Sequence, residues 1–135
     1  MTASDITRFS GDPPSPFEDR FAFSRLTVAG PFVLVGGTTA IDPSGCVIGA
    51  TPYEQAVEIL GKVEHELGRG GATLADVVQI RVYVTDITRA EEVGRAHAET
   101  FAAVRPLMTM VEVSGLIDPR MLVEIEAVAL APPRP

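Results

Sequence analysis

Apolar positions in this chain follow two periods. Between Thr51 and Gly71 they recur at helical spacing, with Ala56, Leu60, Val63 and Leu67 on one side and Glu54, Glu58 and Glu64 left to solvent. Thr51 is a capping residue, Pro52 suits the first helical position, Glu54 completes a capping box, and Gly68, Gly70 and Gly71 end the run. A second helix is predicted from Thr88, capped with Glu91. Its stripe is Val93, His97, Thr100, Phe101 and Val104, with Arg105 at its end and Pro106 as its stop. Two-residue alternation predicts strands elsewhere. Residues 21–28 and 32–35 form a hairpin through Ala29-Gly30-Pro31. Residues 76–85 place Val78, Ile80, Val82 and Val84 on one face, with Gln79, Arg81, Tyr83 and Thr85 on the other.

The tail, residues 105–130, reads as two strands joined by a turn at residues 115–120. In the second strand Val123, Ile125, Ala127 and Ala129 oppose Leu122, Glu124, Glu126 and Val128. In the first, Thr109, Val111 and Val113 oppose Met108, Met110, Glu112 and Ser114. Two carboxylates spaced two apart in an apolar strand need water, a cation, another subunit or a ligand, because a buried charge without a partner is costly. Arg81 is expected on the face of Glu112 and Glu124, where it neutralises a glutamate or reaches a ligand anion.

The element order is ββαβαββ, an α+β arrangement of one sheet with two helices on one face. The semi-polar opposite face is expected to be covered by self-association. Residues 1–19 are expected to be an extended, loosely held arm, and residues 20–131 a single domain. With 46% hydrophobic and 21% charged residues among 135, the chain can build a proper core. No apolar run suits a membrane span or a secretory signal, so a cytoplasmic location is the default expectation. The net charge of −7 disfavours phosphate backbones, and no nucleic-acid partner is expected. Cys46 stands alone and reads as an ordinary thiol; His65 and His97 lack companions at metal spacing and read as structural, so no metal is expected.

The order, together with Val33-Leu-Val-Gly-Gly37, Arg81-Val-Tyr-Val-Thr-Asp86 and Met110-Val-Glu-Val-Ser114 followed by Leu122-Val-Glu-Ile-Glu-Ala127, resembles the Rid family, also called YjgF or endoribonuclease L-PSP-like. The resemblance runs from about Phe21 to Leu130. It implies a chorismate-mutase-like fold and a homotrimer whose sheets form a central barrel, with clefts between subunits. It also implies hydrolysis of reactive imines and enamines, such as 2-aminoacrylate, without a metal or organic cofactor. In that family an arginine grips the substrate carboxylate and a glutamate positions the attacking water.

Several of the family's site positions are changed here. The arginine falls on Met108, the following serine on Thr109 and the cysteine on Met110. The serine before the strand-end glycine falls on Gly36, the first-strand tyrosine on Phe23, and the second-helix asparagine on Gly94. Glu124, the water-positioning acid, and Gly37 are retained. A thioether cannot balance a carboxylate, and losing such a charge-assisted contact costs about 2–5 kcal/mol of binding. The expected site is an apolar crevice with two methionines and one acid, suited to a neutral, partly apolar small molecule and little active on 2-aminoacrylate-like substrates. Glu124 is read either as the water-ordering group or as a structural residue paired with Arg81, with Arg120 or with a backbone donor in the trimer. Glu126 and Glu112 read as structural, and Met108 and Met110 as either pocket lining or interface packing. Gly36-Gly37 reads as a place of close backbone approach. The leading function is an imine or enamine hydrolase with altered range. The alternative is a non-catalytic trimer that binds a small ligand or partner. Endoribonuclease activity is disfavoured by the acidic charge and the lack of a basic stripe.

Overall fold

The computed structural model describes residues 5–133. Six strands form one mixed sheet: β1 (Ile6–Phe9), β2 (Leu26–Ala29), β3 (Phe32–Thr38), β4 (Val77–Val84), β5 (Leu107–Glu112) and β6 (Val123–Leu130), in the spatial order β1-β2-β3-β6-β4-β5. All neighbours are antiparallel except β4 and β5. The helices are α1 (Glu18–Phe21), α2 (Pro52–Arg69) and α3 (Ala90–Phe101).

α2 forms as its sequence dictates. Thr51 Oγ1 accepts from the Glu54 N–H (3.1 Å), and the Glu54 carboxylate accepts from the Ala50 N–H (3.0 Å). Its buried stripe, Ala56, Ile59, Leu60, Val63 and Leu67, packs on Leu26, Val33, Val35, Ile125, Ala127 and Ala129 of the sheet. The core therefore lies on one side of the sheet, and the other side is left open.

Four expectations are corrected. Residues 5–19, the described part of the expected arm, are held in place rather than loose, and residues 1–4 lie outside the described residues. β1 pairs with β2, and two buried carboxylates hold the connection: Glu18 accepts from the N–H groups of Gly11 (2.8 Å) and Ser15 (2.6 Å), and Glu66 accepts from that of Asp12 (3.0 Å). The strand expected at residues 21–28 begins only at Leu26, because Phe21 closes α1 and Ala22 takes a left-handed conformation. α3 starts at Ala90, not Thr88. Asp86 accepts from the Thr88 N–H (3.0 Å) and organises a 3-10 turn at Ile87–Arg89; the helix ends at Phe101, so Arg105 lies beyond it at φ 56°. The tail strands are not neighbours: β4 lies between them, parallel to β5 and antiparallel to β6. The connection over residues 113–122 is too long for a tight hairpin turn and instead passes the end of β4, where the Thr85 N–H donates to the Leu122 carbonyl (3.2 Å).

A register shift against β6 between Val77 and Gln79 alters the inner face of β4. Val77 is buried (3% exposed) while Val78 is turned out (40%), after which Ile80, Val82 and Val84 point inward as expected.

The His97 ring of α3 packs tilted against Phe101, with ring centroids 4.8 Å apart, and its buried Nε2 has no hydrogen-bond partner among the described residues. Burial pushes its pKa below the ordinary 6.5. Below pH 6.5 the unfolded chain then takes the proton before the folded one, so stability falls as the solution is acidified through that range. A series of thermal melts from pH 7.5 to 5 is expected to show a smaller acid-side loss in His97→Gln than in the parent; equal losses would contradict this.

Candidate functional site

Glu124 occupies the open face of β6, opposite Tyr83 of β4. It lines a cleft of about 310 Å³ with Phe17, Phe23, Arg25, Gly37, Ile41 and Ile117. The backbone of Gly37 passes so close that a Cβ there would fall on the Glu124 carboxylate. The glycine of β3 is therefore what makes room for the acid. Gly36 has no such constraint, since a Cβ would meet nothing nearer than the Arg25 carbonyl at 3.5 Å. Burial raises the Glu124 pKa above the ordinary 4.5; the Arg25 guanidinium pulls it part-way back, and Glu126 adds to the rise. A carboxyl poised in this way can take a proton from water and return it.

Arg25 is the group that sequence reasoning missed. The crevice does not hold a lone acid among thioethers and hydrocarbon, because this guanidinium forms part of its wall. Arg25 is nearly buried (8% exposed) and donates through Nη1 to the Gly37 carbonyl and to Thr38 Oγ1 (3.2 Å). Its signal was its position two residues after Phe23, which gives both side chains the same parity in extended backbone.

Within one protomer the expected site residues do not converge. Phe23, Gly37 and Glu124 come together. Met108, Met110 and Gly94 line a separate trough with Glu91, Glu92 and Arg95, between β5 and α3. Met108 pairs with Ile80 and lies on the helix side of the sheet, two strands from β6, so about 10 Å of sheet separates it from Glu124. The trough is not purely apolar either. Arg95 lies 3.8 Å above the Tyr53 ring and 3.7 Å from Glu99. Thr109 is on the opposite face of β5, paired with Arg81.

The proposed Arg81–Glu112 pairing is not formed. Glu112 accepts from the Ile87 N–H (3.0 Å) on the helix side, in register with Val84, where it closes the turn before α3. Arg81 instead approaches Glu126 at 3.6 Å, and Glu126 also accepts from the Tyr83 hydroxyl (2.8 Å). This pair is half exposed and contributes little to stability. Arg120 binds Asp118 (2.8 Å) and the Gly45 carbonyl (2.9 Å), away from Glu124.

A larger cavity of about 370 Å³ lies behind the arm, floored by Val57, Gly61 and Lys62. Lys62 donates to the carbonyls of Thr39 (2.7 Å) and Ile41 (2.9 Å), so its ammonium braces the loop after β3. Among the described residues no group of three or more His, Cys, Asp or Glu gathers as a metal site, and no helix is long and apolar enough to cross a membrane.

Comparison with known proteins places these features in context. A family model described as Endoribonuclease L-PSP matches residues 16–131. The chain is 36% identical over 129 residues to an uncharacterized protein of Streptomyces coelicolor, covering 96% of this chain and 95% of that one. It is 32% identical over 108 residues to a RutC family protein of Pyrococcus abyssi, covering 79% and 84% respectively. It also superposes on the crystal structure of a Mycobacterium tuberculosis member of the YjgF/YER057c/UK114 family, with a TM-score of 0.84, 45% identity, and coverage of 93% and 99%.

Proposed function

The chain belongs to the Endoribonuclease L-PSP family, also known as YjgF or Rid, and has its α+β fold; from that premise we propose that it hydrolyses a small reactive imine or enamine at a cleft between subunits. The observation that carries this reading is Glu124, a carboxyl held above its usual range in an open cleft, in a space that only a glycine at position 37 leaves free. Water attacks the C=N carbon while Glu124 accepts a water proton. Return of that proton to nitrogen gives an amino alcohol; Glu124 then takes the hydroxyl proton and passes it to nitrogen, the C–N bond breaks, and ammonia leaves behind a carbonyl. Ammonia release from imines generated in place by an amino-acid oxidase tests the reading, with Glu124→Gln as the control. No release from any imine in the panel would remove it.

The divided site favours assembly. Glu124 with its cleft lies on the open face of the central strand β6, whereas the Met108 trough lies on the helix side of β5, an edge strand whose Leu107 is 70% exposed. In a homotrimer, the trough of one copy closes over the Glu124 cleft of the next, and the open sheet faces line the interior. Sedimentation is expected to give roughly three times the 14.3 kDa chain mass. A monomer in sedimentation would overturn the inter-subunit site.

A further inference from the structure

The wall of the Glu124 cleft holds a cation whose hydrogen-bonding capacity is only partly used. Arg25 Nη1 is fixed by Gly37 and Thr38, but Nη2 is 3.9 Å from Glu18, beyond hydrogen-bond distance. Glu18 does not need that contact, because its two oxygens already accept from the Gly11 and Ser15 N–H groups. Among the described residues the guanidinium therefore has donors to spare, in a position set by β3 and by its ion pair with the arm carboxylate of Glu18. A fork held in this way is suited to a planar anion such as a carboxylate.

The surroundings specify the rest of the ligand. Phe17, Phe23, Ile41 and Ile117 line the same cleft, and Ile117 and Phe23 are 56% and 43% exposed. These apolar side chains gain by being covered. Two other cations near expected site residues are engaged elsewhere: Arg95 by the Tyr53 ring and Glu99, and Arg81 by Glu126.

We propose that Arg25 is the anion-anchoring residue of this cleft and takes the carboxylate of a small acid whose apolar or aromatic tail lies against Phe23, Phe17 and Ile117. The proposal replaces the neutral ligand expected from the sequence with an acidic one. Where the ligand is an imine, its C=N carbon lies toward Glu124, and only that clause rests on the proposed hydrolysis. The elevated Glu124 pKa eases the approach of a second carboxylate, because the acid becomes neutral more readily.

The test is equilibrium binding by calorimetry with 3-phenylpropanoate and 3-phenylpropanamide, which share a tail and differ in charge. The full-length protein is expected to prefer the acid by roughly tenfold or more, the scale of one charge-assisted contact. Arg25→Gln should erase that preference, and Arg81→Gln, on the open face, should retain it. Because a buried arginine also supports the fold, the ratio in the unaltered protein is the first readout, and the variant ratio is read only on protein shown by circular dichroism to be folded. Equal binding of acid and amide, no binding of either, or a folded Arg25→Gln protein that keeps the preference each overturns the proposal. Acid preference without ammonia release from any imine would leave the anchor standing and remove the hydrolase reading; ammonia release without acid preference would do the reverse.

Discussion

Glu124→Gln is expected to lower imine turnover by roughly 10²–10⁴-fold, the usual contribution of a positioned general base. The substitution keeps the shape and the hydrogen-bonding reach of the side chain but removes its capacity to carry a proton. It also takes a partly buried charge away from the neighbourhood of Arg25 and Glu126, so the fold is expected to survive. The pH profile of kcat/KM supplies an independent readout. Glu124 is held above 4.5 by burial, so the parent enzyme should lose activity in acid at a pH higher than an ordinary carboxylate would dictate. That acid limb should disappear from the residual activity of the variant. An unchanged rate, or an acid limb that persists in the variant, would remove Glu124 from the chemistry.

Gly37→Ala is expected to be nearly as damaging, for a reason that is purely geometric. The new methyl would fall on the Glu124 carboxylate and lie 3.2 Å from its Cδ. These atoms are the tip of a flexible side chain, so the fold can yield by swinging the carboxylate aside, at a stability cost of order 0.5–1.5 kcal/mol. Catalysis cannot adapt as cheaply, since a displacement of about 1 Å in a reacting group costs on the order of 10²-fold. Gly36→Ala provides the contrast: its methyl meets only ordinary contacts with the Arg25 and Ser24 carbonyls, and turnover should be largely preserved. Paired assays of ammonia release and thermal melting separate the two. Equal activity of the Gly37 and Gly36 variants would show that the close approach does not matter.

Much of this architecture was legible in periodicity. α2 could be placed by Thr51, Pro52 and Glu54 because capping is local and its hydrogen bonds join neighbours in sequence. The apolar faces of β4 and β6 were readable for the same reason, apart from Val78, where a register shift outvoted the alternation. What escaped was long-range. Nothing in residues 6–9 announces that they pair with β2, because the arm is fastened to the body by Glu66, which reaches across the chain to the Asp12 N–H. The tail looked like a hairpin because adjacency in space cannot be read from alternation alone.

The candidate site divides along the same line. Glu124 and Gly37 were found because each lies in a recognisable strand motif. Arg25 was passed over because it stands in a segment that is neither regular strand nor helix, and its neighbours come from the arm, β3 and β6. Met108 was assigned to the same crevice as Glu124 by resemblance; within a single protomer the intervening β4 keeps them apart.

The position of β6 constrains how the molecule is made. Of the six strands described, the one that comes last along the chain occupies the middle of the sheet, between β3 and β4. A ribosome that has not yet extruded Val123–Leu130 holds two half-sheets with apolar edges and nothing to join them. The sheet must therefore wait for β6, and during that interval the nascent chain is the species most in need of a chaperone.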